Sequence, residues 1–279
     1  MVLPALVSLV LLASDPRAGE ILERCLEAHG GLAVFQAIRS WHIVAERRLA
    51  SPGEPPRETY EEYLLRQSGA VRTLLIKRRP DSVLVFGHDG RQGFALVNGK
   101  RRQDAAAAGE AYYRAHGEYY LRALPFKWKD PGVDAALEGE TELGGRPAYL
   151  VRVSAARDVG VAWKDVWRAV IDKENYLLLE ARLTHDRSLQ SWMEPARRGT
   201  SVIHYRLGEV RAVGRLRLPF RMEYWSDGKK TGENLVRTWE LDPTVDPSLF
   251  QPETHSRTMG DVNPMLAAVP RIVAGAPIH

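Results

Sequence analysis

The chain contains a single cysteine, Cys25, among its 279 residues. One cysteine cannot form an internal disulfide, so the fold must be stabilised by its core, for which 44% hydrophobic residues are ample. Cys25 shares a helical face with Ile21, Leu22 and Leu26. A cysteine in such a stripe is usually a small buried residue rather than a nucleophile, and we predict burial here.

The chain also lacks the short motifs of common catalytic and cofactor sites. It has no G-x-S-x-G elbow, no Walker loop and no dinucleotide fingerprint. The sequence His116-Gly-Glu118 begins a deaminase zinc pattern, but the P-C-x-x-C that completes it is missing. The sequence therefore predicts a protein that is not an enzyme and needs no metal or cofactor. An envelope hydrolase with a dispersed histidine and carboxylate site stays open as an alternative; its candidate histidines are His88, His116, His185 and His204.

Two histidines stand next to an aspartate, in His88-Asp89 and His185-Asp186. Adjacent strand residues point to opposite faces of a sheet, and both pairs lie near predicted turns. We therefore expect solvated turn residues rather than base–carboxylate pairs.

The chain also lacks a large excess of one charge: it has 39 basic and 35 acidic residues, and its formal net charge is +4. The basic residues form short groups near predicted strand ends, which is typical of solvated tips. No nucleic-acid motif accompanies them, so nucleic acid is not an expected partner.

Long hydrophobic runs are scarce. The N-terminal VLPALVSLVLLAS has the length of a signal-peptide core and is too short for a confident membrane span. We predict a signal peptide over residues 1–18 and a periplasmic or secreted protein, although the usual basic residues before the apolar run are missing. A buried N-terminal helix is the alternative, which Pro4 and Asp15-Pro16 weaken. Residues 19–253 are expected to form one domain, and residues 254–279 a flexible tail.

The body of the chain reads mainly as β-structure. Apolar residues from Gly19 to Arg39 follow helical spacing, with a break at Gly30-Gly31. The following segments alternate in polarity and are separated by turn dipeptides: Asp89-Gly90, Asn98-Gly99, Gly144-Gly145 and Asp227-Gly228. Even spacing of short strands predicts an antiparallel barrel or strongly curved sheet of about 11 strands.

One helix interrupts these strands, from Asp104 to Ala123. It is rich in alanine, carries paired tyrosines, and is followed by the aromatic LPFKWKDPG, Leu124 to Gly132. We expect it to lie as a lid on the apolar, concave face of the sheet. Near the C-terminus, Phe250 is expected to attach the last segment to the body.

Several segments together resemble the uncharacterised secreted branch of the LolA/LolB lipoprotein-carrier superfamily. They are EILERCLEAHGG, LPFKWKDPG, GRPAYLVRV, IDKENYLL, the late V-x-G-R-L-R-L-P-F and SLFQPE, and they cover most of Gly19 to Glu253. The resemblance implies a half-open antiparallel barrel whose concave apolar face is plugged by helices. Its best-known members shield the acyl chains of lipoproteins in the periplasm, while others act as sensor domains in envelope-stress regulation.

The favoured function is therefore a non-enzymatic binder or carrier of acyl chains, lipids or lipoproteins. Expected partners are a lipid or an acylated protein, with an envelope membrane-protein partner as a further option, and the protein is expected to be a monomer. An envelope-stress sensor or protein-interaction domain is the alternative that uses the same face. Pockets for such ligands are mostly apolar, and the large residues predicted to line one are Trp41, Phe94, Tyr113, Tyr120, Phe126, Trp128, Trp167, Trp225 and Trp239.

Overall fold

A computed structural model describes residues 15–49, 58–155, 165–186 and 200–256. Within these ranges the chain forms four α-helices, two short 3₁₀ helices and thirteen strands of a single antiparallel sheet. The helices are α1 Pro16–Ala28, α2 Leu32–Ala37, α3 Ala107–Arg122 and α4 Pro252–Ser256, with 3₁₀ turns at Phe126–Lys129 and Pro247–Phe250. The strands are β1 Ser40–Leu49, β2 Glu58–Gln67, β3 Ala70–Arg78, β4 Val83–His88, β5 Gly93–Val97, β6 Lys100–Arg101, β7 Val133–Leu143, β8 Arg146–Ala155, β9 Val166–Asp172, β10 Leu178–Asp186, β11 Thr200–Val213, β12 Leu216–Ser226 and β13 Lys229–Leu241.

The predicted fold class is confirmed: the chain is mainly β, with one open antiparallel sheet and an N-terminal helix. The sheet has more strands than the 11 expected, in part because the two-residue strand β6 has no alternation to read. Among the described residues, no helix is both long and apolar enough to cross a membrane.

The described residues divide into two compact units. The first contains residues 15–35, 124–155, 165–186 and 200–231, and its strands follow the order β12-β11-β10-β9-β8-β7. The second contains residues 36–49, 58–123 and 232–256, with the order β6-β5-β4-β3-β2-β1-β13. The single domain over 19–253 stays a prediction.

Both predicted boundaries of the domain fall inside helices that the structure describes. The proposed signal-peptide boundary at 18 falls inside α1, while residues 1–14 lie outside the described part. The tail expected from 254 begins inside α4, and residues 257–279 lie outside the described part.

Helix α1 is fixed at both ends within the first unit. At its N-terminus, the Asp15 carboxylate accepts hydrogen bonds from the backbone N–H groups of Arg17 (2.9 Å) and Leu137 (3.1 Å), so the cap also joins the helix to β7. At its C-terminus, Gly30 takes a φ of +106°, and a Cβ there would lie 2.3 Å from the Arg215 carbonyl oxygen. Only glycine fits this position, which accounts for the helix break predicted at Gly30-Gly31.

The buried face of α1 consists of Ala18, Ile21, Leu22, Cys25 and Leu26. Cys25 is fully buried, and this burial raises the pKa of its thiol above the ordinary value. The prediction of a buried apolar cysteine is confirmed.

The hairpin turns follow the predicted dipeptides. Positive φ angles occur at both residues of Asn98-Gly99, Gly144-Gly145 and Asp227-Gly228, the conformation that matches the right-handed twist of the flanking strands.

In the second unit, the C-terminal segment covers one face of β3 to β5. Phe250 is fully buried in a cluster with Leu74, Val85, Phe94 and Leu96. The predicted attachment of the C-terminal segment by Phe250 is confirmed.

Candidate functional site

Helix α3 covers the opposite face of the second unit, packing against β2, β3, β4 and β5. Its buried residues are Ala107, Ala111, Ala115, Tyr119 and Arg122. At about 0.8 kcal/mol per buried methyl or methylene group, the three alanine side chains contribute roughly 2 kcal/mol together. Helix α1, by contrast, buries isoleucine and leucine side chains worth about 1.5–3 kcal/mol each. The N-terminal half of α3 is thus held by little apolar area.

Close backbone contact holds this half of α3 against β5. A Cβ at Gly93 would lie 2.2 Å from the carbonyl oxygen of Ala108, so any side chain there would force α3 and β5 apart. Glycine at this position is required by packing between the two elements.

The sheet face beneath α3 is aromatic near the helix C-terminus. Trp41 lies with its ring centroid 5.4 Å from that of Tyr119 and 6.1 Å from that of Trp239. Trp41 and Trp239 are both buried. These two tryptophans from β1 and β13 were predicted site residues, and the structure brings them together.

A second aromatic group lies further along the same helix. The His116 ring centroid is 4.2 Å from that of Tyr112 and 4.9 Å from that of His88 on β4. His116 Nδ1 is also 2.9 Å from the Thr73 hydroxyl. The expectation that His88 is a solvated turn residue is therefore wrong, because its ring packs against α3.

A buried ion pair fixes the C-terminal end of α3. Arg122 Nη2 donates to a Glu62 carboxylate oxygen (2.9 Å) and to the Tyr60 hydroxyl (2.8 Å), while its Nε donates to the same carboxylate. Both charged side chains are almost fully buried. Burial raises the pKa of the Glu62 carboxyl above its usual value, and Arg122 offsets only part of that effect. Burial lowers the pKa of Arg122, but Glu62 outweighs it and keeps this pKa well above its usual value.

The first unit has an aromatic row of its own on the buried face of its strands. Trp128, Trp167, Tyr205 and Tyr224 follow one another with ring centroids 5.5–6.3 Å apart. Next to this row, Phe126 stacks on Phe35 at 4.4 Å. Phe126, Trp128 and Trp167 were predicted site residues and are all buried here.

The remaining predicted residues lie elsewhere. Phe94 belongs to the cluster around Phe250, on the face of β5 opposite to the one that α3 covers. Trp225 is half-buried on the polar face of β12, where its indole N–H donates to Glu223 at 3.0 Å. Tyr113 and Tyr120 are partly exposed on α3. That the nine residues line one binding surface stays a prediction.

Sequence reasoning missed the polar groups of the site. Arg122 and Glu62 are 60 residues apart, and neither belongs to a motif. A signal was present in the alternation of β2, where Tyr60, Glu62 and Leu64 share one face, so that a carboxylate falls between two apolar side chains.

His185 also differs from its expectation. It is buried on β10 rather than solvated, and its Nδ1 lies 2.6 Å from the Asp165 carboxylate. The prediction of a solvated turn residue failed because β10 extends through Asp186.

Comparison with known proteins defines the fold. The structure is similar to a domain of a putative outer membrane lipoprotein-sorting protein from Vibrio parahaemolyticus, with a TM-score of 0.54 and 10% identity over 87% of this chain and 99% of that one. It is similar to a DUF1329 family protein from Desulfovibrio piger, with a TM-score of 0.54 and 11% identity over 86% and 99% of the two chains. A LolA superfamily protein from Nitrosomonas europaea aligns at a TM-score of 0.46 and 12% identity over 85% and 98%.

No protein-family model and no curated protein sequence matches the chain. At these identities the first two structures show the fold alone. The chain shares the fold of the lipoprotein-sorting domain and of the DUF1329 family protein, in agreement with the resemblance found in its sequence.

Proposed function

We propose that this protein is a non-enzymatic, exported protein of the bacterial cell envelope that binds acyl chains of lipids or acylated proteins. The acyl chain would lie on the sheet face of the second unit, beneath α3. The observation that carries the proposal is the small aliphatic area that α3 buries on this face, three alanines, beside the Tyr112 and His116 rings that pack against His88. The similarity in fold to a lipoprotein-sorting domain supports the same conclusion.

The energy balance favours displacement of α3 by a ligand. Each methylene of an acyl chain gains about 0.8 kcal/mol on burial, so about three methylenes match the three alanine side chains. The further methylenes of a long acyl chain would offset the loss of the His116 contacts with His88 and Thr73. The buried Arg122–Glu62 pair at the other end keeps the helix attached to the sheet. Binding would then be favourable and reversible, because α3 can return when the chain leaves.

Tryptophan quenching by a brominated fatty acid tests the position of the ligand. Bromine quenches a nearby indole, and Trp41 and Trp239 lie on the same sheet face beneath the C-terminal part of α3, next to the surface that its alanines cover. We expect bromostearate to quench the wild-type protein, and the variant Trp41→Phe with Trp239→Phe to lose most of this quenching. The matched control, Trp128→Phe with Trp167→Phe in the first unit, should keep it.

If the variant Trp128→Phe with Trp167→Phe lost the quenching and the variant Trp41→Phe with Trp239→Phe kept it, the binding site would lie in the first unit. If neither bromostearate nor an acyl fluorophore binds the wild-type protein, the acyl-binding function is overturned.

Replacing Gly93 with alanine should speed the uptake of an acyl fluorophore. The new methyl group would meet the Ala108 carbonyl oxygen, so the N-terminal half of α3 must move away from β5. Overpacking of this kind costs about 1–3 kcal/mol in unfolding free energy. Stopped-flow fluorescence measures the uptake, and urea unfolding measures the stability.

Gly117→Ala provides the control, because a Cβ there has no atom within 4 Å. It should leave uptake unchanged and stabilise α3 by about 0.5–1 kcal/mol. Equal uptake rates in both variants would show that movement of α3 does not limit entry.

A further inference from the structure

The polar face of the first unit carries a row of three arginine side chains, which a histidine and a tryptophan extend. Arg152, Arg168, Arg182 and His204 lie directly opposite one another on β8, β9, β10 and β11, and Trp225 on β12 continues the row. Their side chains, excluding Trp225, remain 26–36% exposed. Neighbouring strands are about 4.8 Å apart, so the three arginines form one row of positive charge across β8, β9 and β10.

The neighbouring carboxylates neutralise only part of this charge. Glu138 accepts from Arg168 at 2.7 Å and lies 3.8 Å from Arg152. Glu180 accepts from Arg182 at 2.5 Å and from Arg206 at 2.7 Å. Each glutamate thus serves two arginines, which leaves an excess of two positive charges among these six side chains.

The two glutamates offset only part of the repulsion between these arginines. Like charges directly opposite each other on adjacent strands are destabilising, and three arginines stand in this relation here. Arginine binds phosphate through two parallel hydrogen bonds, so an anionic surface would relieve the repulsion.

Apolar groups at the end of the row favour a membrane over an acidic protein. Trp225 stacks against Arg206, with the guanidinium carbon 3.9 Å from its ring centroid. Val202, which shares the outward face of β11 with His204, is 44% exposed. Tryptophan beside basic residues is typical of proteins that lie at the membrane–water interface.

We propose that this arginine face docks the protein on a membrane surface rich in anionic phospholipid, with phosphate groups bound along the Arg152–Arg168–Arg182 row and Trp225 at the lipid interface. This docking goes beyond the proposed acyl binding and does not depend on it.

Co-sedimentation with vesicles tests the proposal. The wild-type protein should bind vesicles of phosphatidylcholine with phosphatidylglycerol, should bind pure phosphatidylcholine weakly, and should be released by salt. The variant Arg152→Gln with Arg182→Gln removes two positive charges. Glu138 keeps its ion pair with Arg168, and Glu180 keeps its ion pair with Arg206. Since each arginine near an anionic bilayer contributes roughly a factor of five, we expect about a thirtyfold weaker association.

The control variant, Arg48→Gln with Arg91→Gln, removes the same charge from the second unit and should bind as the wild type does. Uptake of an acyl fluorophore should be equal in all three proteins, which separates docking from acyl binding. The proposal would be overturned if both variants lost vesicle binding equally, or if the wild type showed no preference for phosphatidylglycerol. Binding to polyglutamate but not to vesicles would also overturn it.

Discussion

Replacing Glu62 with leucine should lower the free energy of unfolding by about 3–5 kcal/mol. Arg122 is almost fully buried and would lose the carboxylate that balances its charge. Its Nη1 already has no hydrogen-bond partner within the described ranges, and Glu118 would be the remaining carboxylate that stabilises its charge. The Tyr60 hydroxyl would remain as a neutral acceptor, which is insufficient for a buried guanidinium.

The double variant Glu62→Leu with Arg122→Met should recover most of this loss. Replacing both members of a buried ion pair with apolar side chains of similar volume is often neutral or stabilising. Urea unfolding of the wild type, both single variants and the double variant measures the coupling. Glu46→Gln, which disrupts half-exposed ion pairs with Arg48 and Arg237, should cost less than about 1 kcal/mol. Losses that simply add in the double variant would show that Glu62 and Arg122 act independently.

The same pair bears on ligand binding. It holds the C-terminal end of α3, whereas the N-terminal half is held by alanines. A double variant that folds but takes up and releases acyl chains with altered rates would identify this end of the helix as the part that limits how far α3 opens.

Lowering the pH from 7 to 4 should cost the protein about 3 kcal/mol of unfolding free energy through His29 alone. Burial lowers the pKa of His29 to about 4, and the hydrogen bond with the Arg217 carbonyl opposes only part of this effect. The ring joins α1 to two strands: Nδ1 lies 2.8 Å from the Arg217 carbonyl oxygen, and Nε2 accepts from the Leu178 N–H at 3.2 Å. An Nε2 that accepts a hydrogen bond must be unprotonated, so folding favours the neutral ring.

Stability falls with falling pH because the unfolded chain binds a proton at His29 more readily than the folded chain does. The unfolded chain protonates His29 near its ordinary pKa of about 6.5, while the folded chain does so only near 4. The stabilisation is therefore fully present above pH 6.5 and is lost as the pH falls towards 4.

Urea unfolding gives the free energy of unfolding of the wild type and of His29→Gln at several pH values between 7 and 4. The contribution of His29 is the difference between the two proteins in the loss of this free energy over that range. Burial lowers the pKa of His42, but Glu61 and Glu240 raise it above its ordinary value. His42 therefore changes the free energy of unfolding with pH in the opposite direction to His29. This change is the same in both proteins and cancels in the comparison. His204→Gln, which removes a half-exposed histidine, is the matched control. An acid sensitivity that is unchanged in His29→Gln would show that the ring is not held neutral.

The sequence determined the elements of this fold because their signals are local. Alternation of polarity marks β1 and β2, and the glycine of Asn98-Gly99 and of Asp227-Gly228 allows the positive φ that a tight hairpin needs. Gly30 ends α1 for a similar reason, although the Arg215 carbonyl that excludes a side chain there is far away in the sequence. The burial of Cys25 and Phe250 could also be read from neighbouring residues.

Tertiary structure alone decided which face of each strand meets which partner. Phe94 and its neighbour Ala95 point to opposite sides of β5, and no local feature tells that the C-terminal segment covers one side and α3 the other. The Arg122–Glu62 pair and the arginine row arise from contacts between residues distant in the chain. Strand register brings those residues together, and register depends on pairing across the sheet rather than on any single segment.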